Sequence, residues 1–237
     1  MQNEDLVPIA QKTGIDAEKL KMELELFVSM PEIFGIFERN NADVGMYGGT
    51  AINKVYFGER QRLSYDIDLF CYNYDKATSI MDKSAKRIVD KGGRAAYMYK
   101  SIRLDLWKIE KTPEKPQKLE ARSLLTFFGY VMPPVLVPTY SLEYLLAEKI
   151  IALAERNLLK DIYDAWVGLH IVKDRQKLRN YLMSMQRKRK VDVLFMFDSV
   201  IEKNLDWYKE KTIDAISYPE PKLMIKDVHA KLEELLG

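Results

Sequence analysis

The hydrophobic pattern of this chain changes at Pro138, and that change limits the fold more than any other feature. Before Pro138, short apolar runs alternate with glycine, proline and polar turns, which is typical of interleaved strands and helices. After it, apolar residues recur with a period of about 3.6 as far as Leu236, which predicts helices. We therefore predict an α/β (α+β) fold in which an α/β unit is framed by helices and followed by a helical domain.

These patterns divide the chain into three segments. Residues 1–40 are predicted to be N-terminal helices that pack on the core, residues 41–138 an α/β domain, and residues 139–237 a C-terminal helical domain. Residues 16–37 have helical spacing that Pro31 interrupts, which predicts two helices meeting at that proline.

The α/β segment carries a recognisable order of elements. Residues 78–91 have helical spacing and stop at a glycine pair, which predicts a helix with a glycine C-cap. Strands are predicted over residues 94–99 and 103–109. Residues 124–137 are rich in aromatic and branched side chains but contain two adjacent prolines, which predicts a ragged edge strand.

Composition excludes several classes of protein. A chain of 237 residues with 47% hydrophobic and 30% charged residues is globular rather than disordered or fibrous. Its single cysteine, Cys71, excludes a disulfide framework and a cysteine-rich zinc module, and suits a reducing compartment. Glu4 and Asp5 stand where a signal peptide carries positive charge, and no apolar run reaches the roughly 18 residues of a membrane span. We predict a cytoplasmic protein with no membrane contact.

The strongest chemical signal is a pair of acids on one predicted strand. Asp66 and Asp68 alternate with Ile67 and Leu69, so both carboxylates point to the same face. Like charges at that spacing repel unless a cation lies between them, and Mg²⁺ is bound by one or two carboxylates together with substrate phosphates. The pair therefore predicts a site for Mg²⁺ or Mn²⁺.

A third acid lies on a later strand. Asp105 alternates with Leu104 and Leu106, as the first pair does with its neighbours. If the two strands are adjacent, Asp105 can join the pair in a three-carboxylate site for one or two metals, the arrangement that promotes phosphoryl or nucleotidyl transfer. The alternative is a solvated strand residue.

A glycine turn precedes the acidic strand. Residues 44–47 form a short apolar run that ends at Gly48 and Gly49, and Thr50 opens an amphipathic stretch, which predicts strand, turn and helix. Bare backbone amides at such a helix start can bind phosphate oxygens. Arg62 and Ser64, on the following loop, can add phosphate contacts. The chain contains neither a Walker A motif nor GxGxxG, so the turn is informative only together with the acids.

These residues resemble the first motifs of the polymerase β type nucleotidyltransferases, and most closely those of the AbiEii toxin branch, GG[ST]xLxK followed by RxSxDxD. The matching residues are Gly48, Gly49, Thr50 and Lys54, with Ile52 standing where the pattern has Leu, then Arg62, Ser64, Asp66 and Asp68. A later stretch resembles the family's AxKxxAL, R and [KR]DxxD patterns through Ala147, Lys149, Ala152, Leu153, Arg156, Lys160, Asp161 and Asp164. The resemblance covers residues 45–165.

The resemblance implies a polymerase β-like fold with a mixed sheet and a helical domain that completes the active-site cleft. It implies that Asp66 and Asp68 bind metal, that Asp105 completes the triad, and that Lys149 and Asp161 belong to the catalytic site. The nucleotide-binding residues it implies are Gly48, Gly49, Thr50 and Lys54, to which Arg62 and Ser64 are added. The predicted substrates are an NTP and an acceptor hydroxyl, favoured as an RNA (tRNA) 3′ end, with pyrophosphate released and a separately encoded antitoxin as partner.

Other functions stay open at this point. Without the resemblance, Lys149 and Asp161 read as structural ion pairs between helices. The same site could transfer a nucleotide to a protein or a small molecule, or could bind nucleotide or RNA without turnover. The basic run at residues 187–190 is either a solvated helix end or a grip on RNA phosphates, and the formal charge of only +2 means that RNA binding requires such a local patch.

Overall fold

A computed structural model describes residues 6–156, 158–202 and 213–237, and the side chains at 199–202 are not part of that description. The parts of the predicted segments 1–40 and 139–237 that fall on residues 1–5, 157 and 203–212 lie outside the described residues. The chain forms two compact units, Met1–Tyr140, here called the sheet unit, and Ser141–Gly237, the helical unit.

The described part of the sheet unit contains a seven-stranded mixed sheet, which confirms the predicted α/β fold class. Its strands are β1 (Val44–Tyr47), β2 (Asp66–Cys71), β3 (Lys86–Lys91), β4 (Arg94–Tyr99), β5 (Ile102–Lys108), β6 (Gln117–Ala121) and β7 (Val135–Thr139). They lie in the order β3-β4-β5-β2-β1-β7-β6, in which β2 and β5 are parallel, as are β1 and β7. The remaining neighbours are antiparallel.

Helices in the sheet unit connect and pack on these strands. They are α1 (Val7–Thr13), α2 (Ala17–Arg39), α3 (Gly48–Tyr56) and α4 (Tyr74–Met81). The long helix α2 lies against β5 and β7, and α4 lies against β5. Ile67 and Leu69 of β2 are fully buried, whereas Asp66, the first residue of that strand, is exposed. The sheet therefore has a buried apolar side and a second side on which the acids emerge.

The predicted break at Pro31 is wrong, because α2 is one continuous helix with Pro31 inside it. A proline in a helix removes one hydrogen bond and its ring crowds the preceding turn. Here Phe27, Met30 and Ile33 around the proline are buried almost completely. Burial of the apolar face on both sides of the proline outweighs the local cost.

The predicted helix over residues 78–91 is also wrong beyond Met81, where α4 ends. Residues Lys86–Lys91 form β3, which is joined to β4 by a two-residue turn. Gly92 and Gly93 both have positive φ, +50° and +86°, as a type I′ hairpin turn requires. The glycine pair therefore marks a hairpin and not a helix C-cap.

The ragged edge strand predicted over residues 124–137 is replaced by two elements. Leu124–Phe128 is a 3-10 helix, and β7 starts only at Val135, after the prolines. β7 lies inside the sheet between β1 and β6, so the edge position belongs to Gln117–Ala121. Pro138 is tolerated in β7 because the described ladder between β7 and β1 has one residue pair in register, Met46 with Thr139, and Pro138 lies outside it.

The described part of the helical unit consists of helices and their connections, as the apolar period of its sequence predicts. Its described helices are α5 (Leu142–Arg156), α6 (Leu159–Ile171), α7 (Arg175–Arg189), α8 (Val193–Glu202) and α9 (Pro221–Leu236). Ser141 precedes α5, and its Oγ accepts a hydrogen bond from the Tyr144 backbone N–H at 3.4 Å. Across the described residues, every helix is too short or too polar to cross a membrane.

Candidate active site

The glycine turn lies directly against the acidic strand. β1 ends at Tyr47, and α3 begins at Gly48, whose φ is +76°. A Cβ placed on Gly48 would lie 2.8 Å from Oδ2 of Asp68, so only glycine allows the turn to approach that carboxylate. Within the described residues, the side chain of the N-cap residue Tyr47 makes no capping hydrogen bond at the start of α3. The first backbone amides of α3, which have no intrahelical acceptor, are therefore suited to bind an anion.

Thr50 joins the start of α3 to the start of β2. Its hydroxyl donates a hydrogen bond of 2.6 Å to the backbone carbonyl oxygen of Asp66, and the residue is 1% exposed. The hydroxyl is therefore committed to the protein backbone. Thr50 positions the turn and the acidic strand relative to each other, and any contact with phosphate would come from its backbone.

The two acids of β2 are accessible and share a face, as the alternation predicts. Asp66 is exposed and Asp68 half-buried, while the intervening Ile67 is fully buried. Asp68 is in register with Tyr47 on one side and with Asp105 on the other. The predicted adjacency of the two acidic strands is thus present, and in-register neighbours of a sheet point to the same face.

Asp105 is held by two arginines. Its Oδ1 accepts hydrogen bonds from Arg94 Nε at 3.1 Å and Nη2 at 2.8 Å, and its Oδ2 accepts one from Arg103 Nε at 2.7 Å. Burial favours the neutral form of Asp105, but the hydrogen bonds from Arg103 and Arg94 outweigh it, so the pKa of this carboxyl is lower than its ordinary value. Asp105 is ionised, 2% exposed and occupied by guanidinium donors.

The donor set fits a divalent cation at Asp66 and Asp68. Two accessible carboxylates on one face are what Mg²⁺ requires when substrate phosphates and water complete its shell. Among the residues that the structure describes, no three His, Cys, Asp or Glu side chains are placed to hold a metal ion. The structure therefore does not assemble the three-carboxylate group predicted from Asp66, Asp68 and Asp105, because the arginines occupy both oxygens of Asp105.

Lys54, predicted to bind phosphate, lies in a buried ion pair. Its ammonium donates hydrogen bonds to Oε1 of Glu23 and, at 3.1 Å, to Oε1 of Gln61. Burial lowers the pKa of Lys54, and the carboxylate of Glu23 opposes that effect. The side chains of Lys54 and Glu23 are both 0% exposed. In this arrangement Lys54 ties α3 to α2 and offers nothing to a phosphate.

Arg62 and Ser64 belong to the same buried region. The Arg62 backbone N–H donates to Oδ1 of Asn53 at 2.8 Å, and that of Ser64 donates to Oε2 of Glu23 at 3.3 Å. Arg62 is 8% exposed and Ser64 2%. Ser64 Oγ is buried and makes no hydrogen bond to any described residue. The loop that leads into β2 is thus fixed from two sides.

Sequence reasoning missed Glu23, Asn53, Arg94 and Arg103. Glu23 carried a usable signal, since it is an acid on the apolar face of a helix, three residues after buried Leu20. The arginines carried none, because their importance depends on which strands are neighbours.

The two predicted residues of the helical unit lie together. Lys149 Nζ contacts Oδ1 of Asp161 at 2.8 Å and Oδ2 of Asp164 at 2.9 Å. Arg156 Nε donates to Oδ2 of Asp161 at 2.7 Å. Burial favours the neutral form of Asp161, but Lys149 and Arg156 outweigh it and hold the pKa of this carboxyl well below its ordinary range.

Comparison with known proteins agrees with these features. The family model described as nucleotidyl transferase AbiEii toxin, type IV toxin–antitoxin system, matches residues 43–234, most of the chain. The chain belongs to this AbiEii family. It is a nucleotidyltransferase, and the match covers both the acidic strand and the Lys149–Asp161 pair. No curated protein sequence matches the chain.

Solved structures show the same fold at low sequence identity. MenT4, a nucleotidyltransferase toxin from Mycobacterium tuberculosis, has a TM-score of 0.63 at 13% identity, over 99% of this chain and 90% of its own. ANT(2″)-Ia, an antibiotic-resistance factor, has a TM-score of 0.50 at 14% identity, over 71% of this chain and 95% of its own. A second ANT(2″)-Ia structure, in complex with adenylyl-2″-tobramycin, has a TM-score of 0.50 at 15% identity, over 70% and 99% of the two chains. At these identities the likeness supports the fold alone.

Proposed function

We propose that this AbiEii nucleotidyltransferase transfers a nucleotide from an NTP to the 3′ hydroxyl of an RNA, with a tRNA as the favoured acceptor, and releases pyrophosphate. The observation that carries the proposal is the acid pair Asp66 and Asp68 on β2 beside the uncapped start of α3 at Gly48. The start of α3 is suited to bind phosphate, and the acid pair is suited to bind cations. Nucleotidyl transfer needs both within a few ångströms of each other.

Each residue then has a defined task. The first amides of α3 bind the phosphates of the NTP. Asp66 and Asp68 would hold Mg²⁺ or Mn²⁺, and the ion would supply charge neutralisation at the phosphates and a lower pKa for the attacking hydroxyl. Thr50 keeps the turn and the acids in register through its bond to the Asp66 carbonyl. A bond forms between the acceptor oxygen and the α-phosphorus, and the bond to the bridging oxygen of pyrophosphate breaks.

We propose that water accepts the proton that the attacking acceptor hydroxyl loses. Asp105 was predicted to help remove it and to bind metal, but its oxygens accept arginine hydrogen bonds and its pKa lies below the ordinary value, which makes it a weak base in this arrangement. The predicted roles of Lys149 and Asp161 in catalysis rest on the family resemblance. We propose that Lys149 and Asp161 contribute to activity through the buried ion pair that they form in the helical unit. The distance between Nζ of Lys149 and Oδ1 of Asp161 is 2.8 Å.

The setting of the reaction follows from the family. Because AbiEii toxins belong to type IV toxin–antitoxin systems, we propose that a separately encoded antitoxin opposes this protein. We propose the cytoplasm as its location, since NTPs and tRNA are found there. Co-expression with the antitoxin should restore growth that the toxin alone inhibits, and unrelieved growth inhibition would contradict the partnership.

The test incubates the purified protein with Mg²⁺, each α-labelled NTP in turn and total cellular RNA, and resolves the products on a denaturing gel. We expect labelled RNA from the wild type and at least a hundredfold less from Asp66→Asn and Asp68→Asn, which keep the side-chain size but remove the charge. Asp90→Asn is the matched control, because Asp90 is an exposed acid on β3 of the same sheet. Chelation with EDTA should abolish labelling, and added Mg²⁺ or Mn²⁺ should restore it.

Other outcomes select the alternatives. Label in protein would indicate a protein acceptor, and label in a small molecule would indicate a reaction like that implied by the adenylyl-2″-tobramycin complex of ANT(2″)-Ia. NTP binding without release of pyrophosphate would indicate a non-catalytic nucleotide- or RNA-binding module. Any of these three results would overturn transfer to RNA.

A further inference from the structure

Two arginines stand beside the acid pair on the same side of the sheet. Arg103 of β5 is in register with Asp66 of β2, and Asp105 is in register with Asp68. Arg94 of β4 is in register with Trp107 of β5, two residues from Asp105 on the same face. The face therefore runs from cationic side chains on β4 and β5 to carboxylates on β2.

Asp105 fixes the direction of both guanidinium groups. Arg94 and Arg103 each use their Nε and Nη2 atoms on this one buried carboxylate. Arg94 also stacks on the ring of Trp107, with 4.6 Å between the guanidinium carbon and the ring centroid. Two arginines anchored on a shared carboxylate are oriented without using all of their donors.

Donors remain available for a ligand. A guanidinium has five N–H groups, and the Nη1 atoms of Arg94 and Arg103 make no hydrogen bond within the part of the chain that the structure describes. The two side chains are 37% and 41% exposed. Two cations share one carboxylate, so the cluster of Arg94, Arg103 and Asp105 carries a net charge of +1. A cation bound at Asp66 and Asp68 would leave that charge uncompensated, and an anion would be attracted to it.

The order of strands places this cluster opposite the phosphate-binding turn. The turn follows β1, the acids lie on β2, and the arginines lie on β5 and β4, in the sheet order β4-β5-β2-β1. In an in-line displacement the attacking and leaving oxygens lie on opposite sides of the phosphorus. If pyrophosphate leaves on the side of β1, the acceptor approaches on the side of β5 and β4.

We propose that Arg94 and Arg103 bind the phosphodiester next to the attacking 3′ hydroxyl of a nucleic acid acceptor. The proposal rests on transfer to RNA, the function proposed above. Arginine binds phosphate through paired N–H groups, and the Nη1 edges of these two partly exposed side chains can supply them. The same charge repels a polycationic acceptor such as an aminoglycoside.

The test measures acceptor recognition separately from NTP recognition. Acceptor RNAs with a normal or a methylphosphonate last linkage, which lacks the negative charge, are compared with the wild type, Arg94→Gln and Arg94→Lys. For the wild type we expect the acceptor KM to rise about tenfold with the methylphosphonate, as for loss of one charged hydrogen bond. Arg94→Gln should raise the KM for the normal RNA and reduce the difference between the two RNAs to the part that Arg103 still supplies. Arg94→Lys should recover part of the lost difference, and the NTP KM should change less than twofold.

A matched control variant is available in the same sheet. Arg87→Gln removes an arginine of β3 that pairs with Asp82 and Asp90 and is 32% exposed, on the face of buried Tyr97. It should leave both KM values unchanged. The methylphosphonate comparison in the wild type needs no variant, so a folding defect in Arg94→Gln would not remove the test.

The outcomes separate this inference from the function on which it rests. RNA labelling by the wild type with equal KM for both linkages overturns the inference and leaves RNA transfer in place. A rise in NTP KM for Arg94→Gln, with the acceptor KM unchanged, assigns the arginines to the triphosphate and also overturns it. Absence of RNA labelling by the wild type overturns both.

Discussion

Glu23 of α2 accepts a hydrogen bond from the ammonium of Lys54 in α3, and both side chains are fully buried. The same carboxylate accepts from the Ser64 backbone N–H and, at 3.4 Å, from the Ser123 hydroxyl. The family match begins at residue 43, so the counter-ion of the motif lysine comes from a helix outside it. The N-terminal helix α2 therefore helps to fix the loop that leads into the acidic strand.

Removing only one member of this ion pair should destabilise the protein strongly. Lys54→Met leaves the Glu23 carboxylate buried without its cation, which costs about 3–5 kcal/mol in the free energy of unfolding. The double variant Glu23→Gln with Lys54→Met removes both charges and keeps an acceptor for the Ser64 N–H, so it should recover most of that loss. Urea unfolding followed by circular dichroism measures the difference. Equal stability of the single and double variants would contradict the pairing.

Local pattern was enough to find the centre of the site. The alternation of Asp66 and Asp68 with Ile67 and Leu69 required only the geometry of one strand, and the structure has β2 there. The glycine turn was found in the same way, because a strand, two glycines and a helix are adjacent in sequence.

What the sequence hid depends on which elements meet. The bond between Asp105 and Arg94 depends on the register in which β4 pairs with β5, and the alternation within each predicted strand does not give that register. The burial of Lys54 depends on Glu23 of α2 lying beside its ammonium, and no spacing in the sequence shows that pairing. Sequence identified the carboxylates, whereas tertiary contacts decide which of them remain accessible to a metal.

Gly48 should not tolerate any side chain. Gly48→Ala places a Cβ 2.8 Å from the Asp68 carboxylate and forces a left-handed φ of +76° on alanine, a strain of about 1–2 kcal/mol. We expect nucleotidyl transfer to fall at least tenfold, because the turn must move away from the acid. Gly92→Ala is the control, since Gly92 also has positive φ but no atom within 4 Å of its added Cβ. The control should lose some stability and keep its activity; similar losses of activity in both variants would show that strain alone is responsible.

The single thiol should be inert in the folded protein. Burial raises the pKa of Cys71 to about 12, so almost no thiolate exists at neutral pH, and the residue is 0% exposed. Native protein treated with a thiol-reactive dye at pH 8 should remain unmodified over an hour, and protein in denaturant should react with one equivalent. Rapid labelling of the native protein would show that β2 opens to solvent.

Asp161 should make the stability of the protein sensitive to acid. Its pKa is lowered in the folded state, so its contribution to stability is complete above the unfolded value of about 3.9 and is lost as the pH falls toward the folded value. Asp161→Asn should be less stable than the wild type by about 2 kcal/mol or more at pH 7, and the gap should narrow steadily between pH 4 and pH 2. Unfolding in urea at a series of pH values measures the gap. Glu234→Gln removes an exposed partner of Arg175 and should cost less than about 1 kcal/mol at every pH. A gap for Asp161→Asn that stays constant down to pH 2 would contradict an ionised, paired carboxylate at this position.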